Sequence, residues 1–297
     1  METKKLFTLI SLLIFFLSFA QNSVLWKVTN KNTALTSYIL GTYHLAGQEF
    51  VNSHPIILEK MKVADVVITE TEINRSKFSA YYNLRPSSDM LSTILSPEDL
   101  AYLKEIFADG KIDLEKYTPG ELLLKLQVYY PKYRCSAIKN TGNLPMDEYI
   151  QQLADLNKKE LYYLESDSLG LAKIAELTNK YDWKSFKRQI PGILKKYRSQ
   201  KLAESECNFA NKYTTFDLNY SFGTFCHTIK GKPGNTDLVQ SRTNEWLTQI
   251  PSLLSQKSCF IAVGLQHLYF ECGLLEQLKK TGLYGRKGGN EIGVFKK

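Results

Sequence analysis

Four short apolar runs, each broken at its end by a glycine or a carboxylate, constrain this chain more than any other feature. Residues 36–40 (TSYIL) lead into Gly41-Thr42-Tyr43-His44, and residues 66–69 (VVIT) lead into Glu70 and Glu72. Residues 161–164 (LYYL) lead into Glu165, and residues 258–263 (SCFIAV) into Gly264-Leu265-Gln266-His267. Runs this short, rich in β-branched and aromatic residues, suit buried strands. The alternating residues 23–28 (SVLWKV) make a hairpin with TSYIL. Longer stretches of helical period lie between the strands. Residues 55–64 form a helix capped by Ser53, with Ile57, Leu58 and Met61 on one face. Ser96-Pro97 opens a helix that closes near Gly110, and Thr118-Pro119 opens one with Glu121 three residues past the cap. Residues 145–156, 168–211, 237–255 and 273–281 also read as helical. Such alternation predicts an α/β fold. The expectation is one domain over residues 21–297, a mixed central sheet flanked by helices, with a helical insertion between about Leu91 and Tyr149.

The first residues have the layout of an export signal. Lys4 and Lys5 precede an apolar run over residues 6–20, and Ser18 and Ala20 stand at a small-x-small cleavage site. The run is shorter than the roughly 20 residues a spanning helix needs. The mature chain is therefore expected to begin near Gln21, secreted or periplasmic, with no membrane span left after cleavage. Its composition, 43% hydrophobic and 23% charged, excludes a disordered chain. The net charge of +8 is spread along the sequence. With no helix-turn-helix, zinc-finger or RNP pattern, it argues against a nucleic-acid partner. Disulfides are permitted outside the cytoplasm. The five cysteines (Cys135, Cys207, Cys226, Cys259 and Cys272) predict one or two bridges plus a buried thiol. Pairing four of five allows 15 two-bridge patterns, and the sequence selects none of them. No CxxC, GxSxG or HExxH occurs, which removes zinc-ribbon, serine-elbow and zincin readings.

If the four strands are parallel neighbours, their carboxyl ends share one edge, where open α/β sheets place ligands. Two histidines and three carboxylates, spread over more than 200 positions, would meet there. His54, beside Pro55 at a helix start, reads as structural, and a Cys226-His227 site is a weaker reading than a disulfide at Cys226.

These residues carry a resemblance. LWKVTNKNTALTSYILGTYHL, ADVVITETE and FIAVGLQHLYFECGLLEQLKKTGLY resemble the TraB/GumN family, which includes the Tiki metalloproteases, from about Trp26 to Tyr284. NLPMDEYI followed by LYYLES resembles the family's mid-chain pattern and maps onto Asp147 and Glu165. Arg242 falls where the family has an Arg-Asn pair, although Thr243 separates it from Asn244 here, and Gln266 replaces the second glycine of the second motif. The resemblance implies a hydrolase-like protein, secreted or membrane-associated. In the Tiki branch the two motif histidines and the intervening glutamate are proposed metal ligands for peptide cleavage.

Carried to this chain, the metal candidates are His44, Glu70 and His267. Two imidazoles and a carboxylate suit Zn, Mn or Co, and an open position would lower the pKa of bound water to about 7. Glu72 or Glu165 would take the proton, since Glu70 and Glu72 share a face on a straight strand. Arg242 would neutralise Glu165 or stabilise an oxyanion. The related erythromycin esterases imply a metal-free variant, in which a carboxylate-oriented histidine acts as general base on water. The expected function is metal-dependent hydrolysis of a peptide or amide bond, with a peptide or small-molecule substrate. The alternatives are a non-catalytic protein that binds a peptide or small ligand on the same scaffold, and an envelope protein whose His and Glu are structural.

Overall fold

The computed structural model of this chain describes residues 23–30, 32–108, 112–142, 144–166, 175, 178–199, 204–226, 237–281 and 293–294. The expected leader over residues 6–20, Gly110, His227 and residues 168–174 of an expected helix lie outside them.

The chain divides into two compact units. One takes Met1–Glu70, Thr141–Leu164 and Asn211–Lys297. It holds a mixed sheet of β1 (Leu25–Thr29), β2 (Thr36–Thr42), β3 (Val66–Thr69), β4 (Glu160–Tyr163), β5 (Cys259–Gly264) and the two-residue β6 (Gly293–Val294). Their spatial order is β4-β3-β5-β2-β1-β6. β1 and β2 form the expected antiparallel hairpin, in register from Leu25 opposite Leu40 to Thr29 opposite Thr36. The Asn30 side chain accepts from the N–H groups of Asn32 and Thr33 and so shapes the turn. The pairs β2/β5, β5/β3 and β3/β4 are all parallel.

β5 lies at the centre, with Cys259–Val263 buried. Continuous apolar runs are what a parallel strand covered on both faces requires. β2 does not stop at Leu40: Gly41 and Thr42 stay paired with Val263 and Gly264. A Cβ added at Gly41 would lie 2.6 Å from Leu265 Cδ1 and 2.8 Å from Leu268 Cδ1, so glycine is what lets the loop after β5 pack on β2. The expected helix over 237–255 is two helices, Asp237–Trp246 and Ile250–Gln256. Pro251 sits in the first turn of the second, where its missing N–H costs nothing and it cannot extend the first. The N-cap of the helix Pro55–Val63 is His54 rather than Ser53, and no side chain caps it. His54 Nδ1 lies 2.6 Å from the Phe50 carbonyl oxygen, and its ring packs on Phe50, a structural role as expected.

The second unit, Thr71–Asn140 and Glu165–Ala210, is helical. Its core is built from Tyr82, Leu103, Leu122, Leu126, Phe186 and Leu194. The capping box of Thr118 and Glu121 forms on Pro119–Arg134 as the sequence predicts. Glu121 also accepts from Arg85 (2.8 Å) and from the Tyr82 hydroxyl (3.0 Å). Burial opposes its charge, but Arg85 and the Thr118 N–H outweigh it and hold the carboxyl below its ordinary value.

Cys135 bridges Cys207 and Cys226 bridges Cys272, while Cys259 is a buried thiol. This selects one of the open patterns. Among the described residues no helix is long and apolar enough to cross a membrane. The Cys135–Cys207 bridge closes a separation of 72 residues. Replacing both by serine is expected to cost up to about 4 kcal/mol, read as a lower urea midpoint with a steeper slope, since the unfolded chain is no longer cross-linked.

Candidate functional site

Because β2, β5, β3 and β4 run parallel, their exits lie along one edge of the sheet. Two groups of polar side chains form there, both within the sheet unit.

The first is built on β2. Thr42, its last residue, donates from Oγ1 to Asp147 Oδ1 at 2.5 Å, and His44 Nδ1 lies 3.0 Å from Asp147 Oδ2. Asp147 occupies the first turn of the helix Met146–Leu156, where the helix dipole favours an anion. Burial works against its charge, yet the bonds from His44 and Thr42 overcome it and keep the carboxyl below its ordinary 3.8. His44 keeps 48% of its side chain accessible. Crowding around the ring opposes its positive charge, but the bond and charge of Asp147, helped by Glu148 and Glu70, hold its pKa above 6.5. With Nδ1 directed at Asp147, Nε2 is the nitrogen left to meet a ligand.

The second group gathers at the exits of β3 and β5. Glu70 sits in the bend after β3. Its Oε1 accepts from the Gly264 N–H and its Oε2 from Arg242 Nη2, each at 2.6 Å. Burial still wins: the Glu70 carboxyl is held above its ordinary range despite Arg242 and Gly264, with the charge of Asp147 adding to the effect. His267 is 4% exposed. Its Nδ1 lies 2.8 Å from Thr243 Oγ1, and its Nε2 lies 3.5 Å from Arg242 Nη1 and 3.9 Å from Glu70 Oε1. Trp246 packs on the imidazole at 4.1 Å, with the Arg242 guanidinium 5.0 Å from the indole centroid. Glu70 links the two groups, since its charge acts on His44 and the charge of Asp147 acts on it.

The edge thus brings together His44, Glu70, Arg242 and His267 of the expected residues. Glu72 behaves differently. β3 ends at Thr69 and the chain bends at Glu70 and Thr71, so the straight strand that would align the two glutamates does not form. The Glu72 carboxylate takes Lys77 Nζ at 2.9 Å. Glu165 is buried just past β4. Arg242, expected to neutralise Glu165 or to stabilise an oxyanion, pairs with Glu70.

The expected donors fall in two groups, His44 beside Asp147, and Glu70 and His267 beside Arg242. Among the described residues no three His, Cys, Asp or Glu side chains make a group able to hold a metal ion. The Arg242 guanidinium lies against both Glu70 and His267. Thr42, Thr243 and Trp246 were not legible as site residues, and Asp147 was marked only by the family resemblance. The one local signal for Asp147 is an acidic residue in the first turn of a helix.

The Asp147–His44 pair has a defined pH signature. Its contribution to stability is complete between about pH 3.8 and 6.5. It is lost as pH rises through the raised pKa of His44, and as pH falls through the lowered pKa of Asp147. Asp147→Asn is expected to lower the midpoint of the His44 ring resonance in an NMR pH series.

The sequence profile of the TraB/PrgY/gumN family matches residues 24–284. No curated protein and no solved structure gives a significant match. The profile spans the whole strand edge from β1 through His267 and the helix beyond it, and the chain belongs to the TraB/PrgY/gumN family.

Proposed function

We propose that this protein is a hydrolase of peptide or amide bonds in which His44, oriented by Asp147, activates water. The observation that carries the reading is the Thr42–Asp147–His44 chain. A carboxylate held by a hydroxyl and a helix N-terminus fixes one ring nitrogen and directs the other toward the accessible side. That is the arrangement a general base needs. Nδ1–H donates to Asp147, and Nε2 accepts the proton of a water molecule. Asp147 stabilises the imidazolium so formed without taking its proton. Arg242 brings a fixed positive charge to the same edge, suited to an oxyanion that develops when water adds to a carbonyl. His44 then returns the proton it took from water to the leaving nitrogen, which regenerates the base, while Glu70 anchors Arg242. Two disulfides, together with the apolar leader, support export to an oxidising compartment.

The test is incubation of the purified mature chain with a pool of synthetic peptides, products read by mass spectrometry, with and without EDTA. Cleavage that persists in EDTA and falls about 100- to 10,000-fold in His44→Ala is the expected result. The rate rises with pH through the raised pKa of His44, and Asp147→Asn moves that limb to lower pH. No cleavage by the wild type, cleavage that survives His44→Ala, or abolition by EDTA would each overturn the reading. Capture of peptides without turnover would replace it with the binding role.

A further inference from the structure

The two histidines of the strand edge sit in opposite settings, and the buried one has a hydrogen-bond direction that can be worked out. Thr243 is 1% exposed and lies in the helix Asp237–Trp246. Its hydroxyl donates to the Val239 carbonyl oxygen at 2.8 Å, the usual bond of a threonine to the residue four before it. A hydroxyl has one hydrogen. With that hydrogen committed to Val239, Thr243 Oγ1 can meet His267 Nδ1, 2.8 Å away, only as an acceptor. His267 must then carry its proton on Nδ1. At the other end of the ring Arg242 Nη1 lies 3.5 Å from Nε2, and Glu70 Oε1, 3.9 Å away, is beyond hydrogen-bond reach. A guanidinium has donors and no acceptor, so it is matched by a bare Nε2 and mismatched by an Nε2–H.

We infer that Thr243 is a positioning residue: it fixes His267 as the Nδ1–H tautomer, so that Nε2 accepts from Arg242 and aims the guanidinium at Glu70. The bonds then run in one direction. Thr243 donates to Val239, His267 donates to Thr243, and Arg242 donates to His267 through Nη1 and to Glu70 through Nη2. Gly264 N–H closes the other oxygen of Glu70. Trp246, packed on both His267 and Arg242, keeps the ring and guanidinium from turning away. In this arrangement the bare Nε2 of His267 is turned to Arg242. The ring is the wall that orients Arg242. The purpose of the device rests on the hydrolytic reading, but its test needs no turnover, so either can fail alone.

The experiment is a two-bond proton–nitrogen NMR spectrum of the uniformly 15N-labelled mature chain near neutral pH. The chain has four histidines. The His267 signals are assigned by their loss in His267→Asn. The expected pattern is a protonated Nδ1 and a bare Nε2 in the wild type, retained in Thr243→Ser and shifted toward a mixture of tautomers in Thr243→Val. One equivalent of Zn2+ is expected to leave these signals in place. A wild-type Nε2–H or an unchanged pattern in Thr243→Val would overturn the tautomer assignment, and a Zn2+-induced shift at Nε2 would overturn the pairing of that nitrogen with Arg242. Should the valine variant not fold, the wild-type tautomer, the serine variant and the Zn2+ arm still decide it.

Discussion

Parallel pairing of β5 with β2 on one side and β3 on the other is the constraint from which the site follows. Parallel strands have their exits at the same edge, so residues from three distant parts of the chain arrive together without a dedicated scaffold. The pairing continues past the apolar runs. Gly41 and Thr42 remain in the ladder, and the Gly264 N–H, at the end of β5, bonds the first carboxylate after β3. A slip of one residue in β5 would turn its buried side chains to the wrong faces and separate Gly264 from Glu70.

One spacing, glycine followed three residues later by histidine, serves two chemistries here. After β2 the histidine meets solvent on one side and a carboxylate on the other, which favours its charged form. After β5 the histidine is sealed between a threonine, an arginine and a tryptophan. The residue type is common to both, and the neighbours decide the role. Glu70 and Asp147 divide in the same way. Burial prevails at Glu70, while direct bonds from a hydroxyl and an imidazole prevail at Asp147.

The strands and the better helix caps were legible because their signals are local. VVIT is recognisable from its own branching, and Thr118-Pro119 with Glu121 specifies a capping box within four residues. Strand ends were less legible, since whether Gly41-Thr42 belongs to β2 depends on a partner more than 200 positions away. The break between Trp246 and Ile250 was foreshadowed by Pro251, but an apolar period running through it masked the signal. At the site, the residue types were readable and their pairings were not. Asp147 reaches His44 across 103 positions, and nothing near Arg242 in the sequence distinguishes Glu70 from Glu165 as its partner. The alignment of Glu70 with Glu72 failed because it assumed a straight strand where the backbone bends.

The odd cysteine illustrates how a sheet can protect the chain's own chemistry. Cys259 opens β5 and is wholly buried, and burial pushes its thiol up to about 11. Only about one part in ten thousand of such a thiol is ionised at neutral pH, and the ionised form is what attacks a disulfide. Once β5 is seated, the unpaired sulfur is withdrawn from exchange, and the four remaining cysteines keep their partners. Before that moment all five compete. The fidelity of cross-linking therefore depends on a race between zipping of the central strand and arrival of the oxidant, a timing requirement imposed by where a single sulfur atom lies.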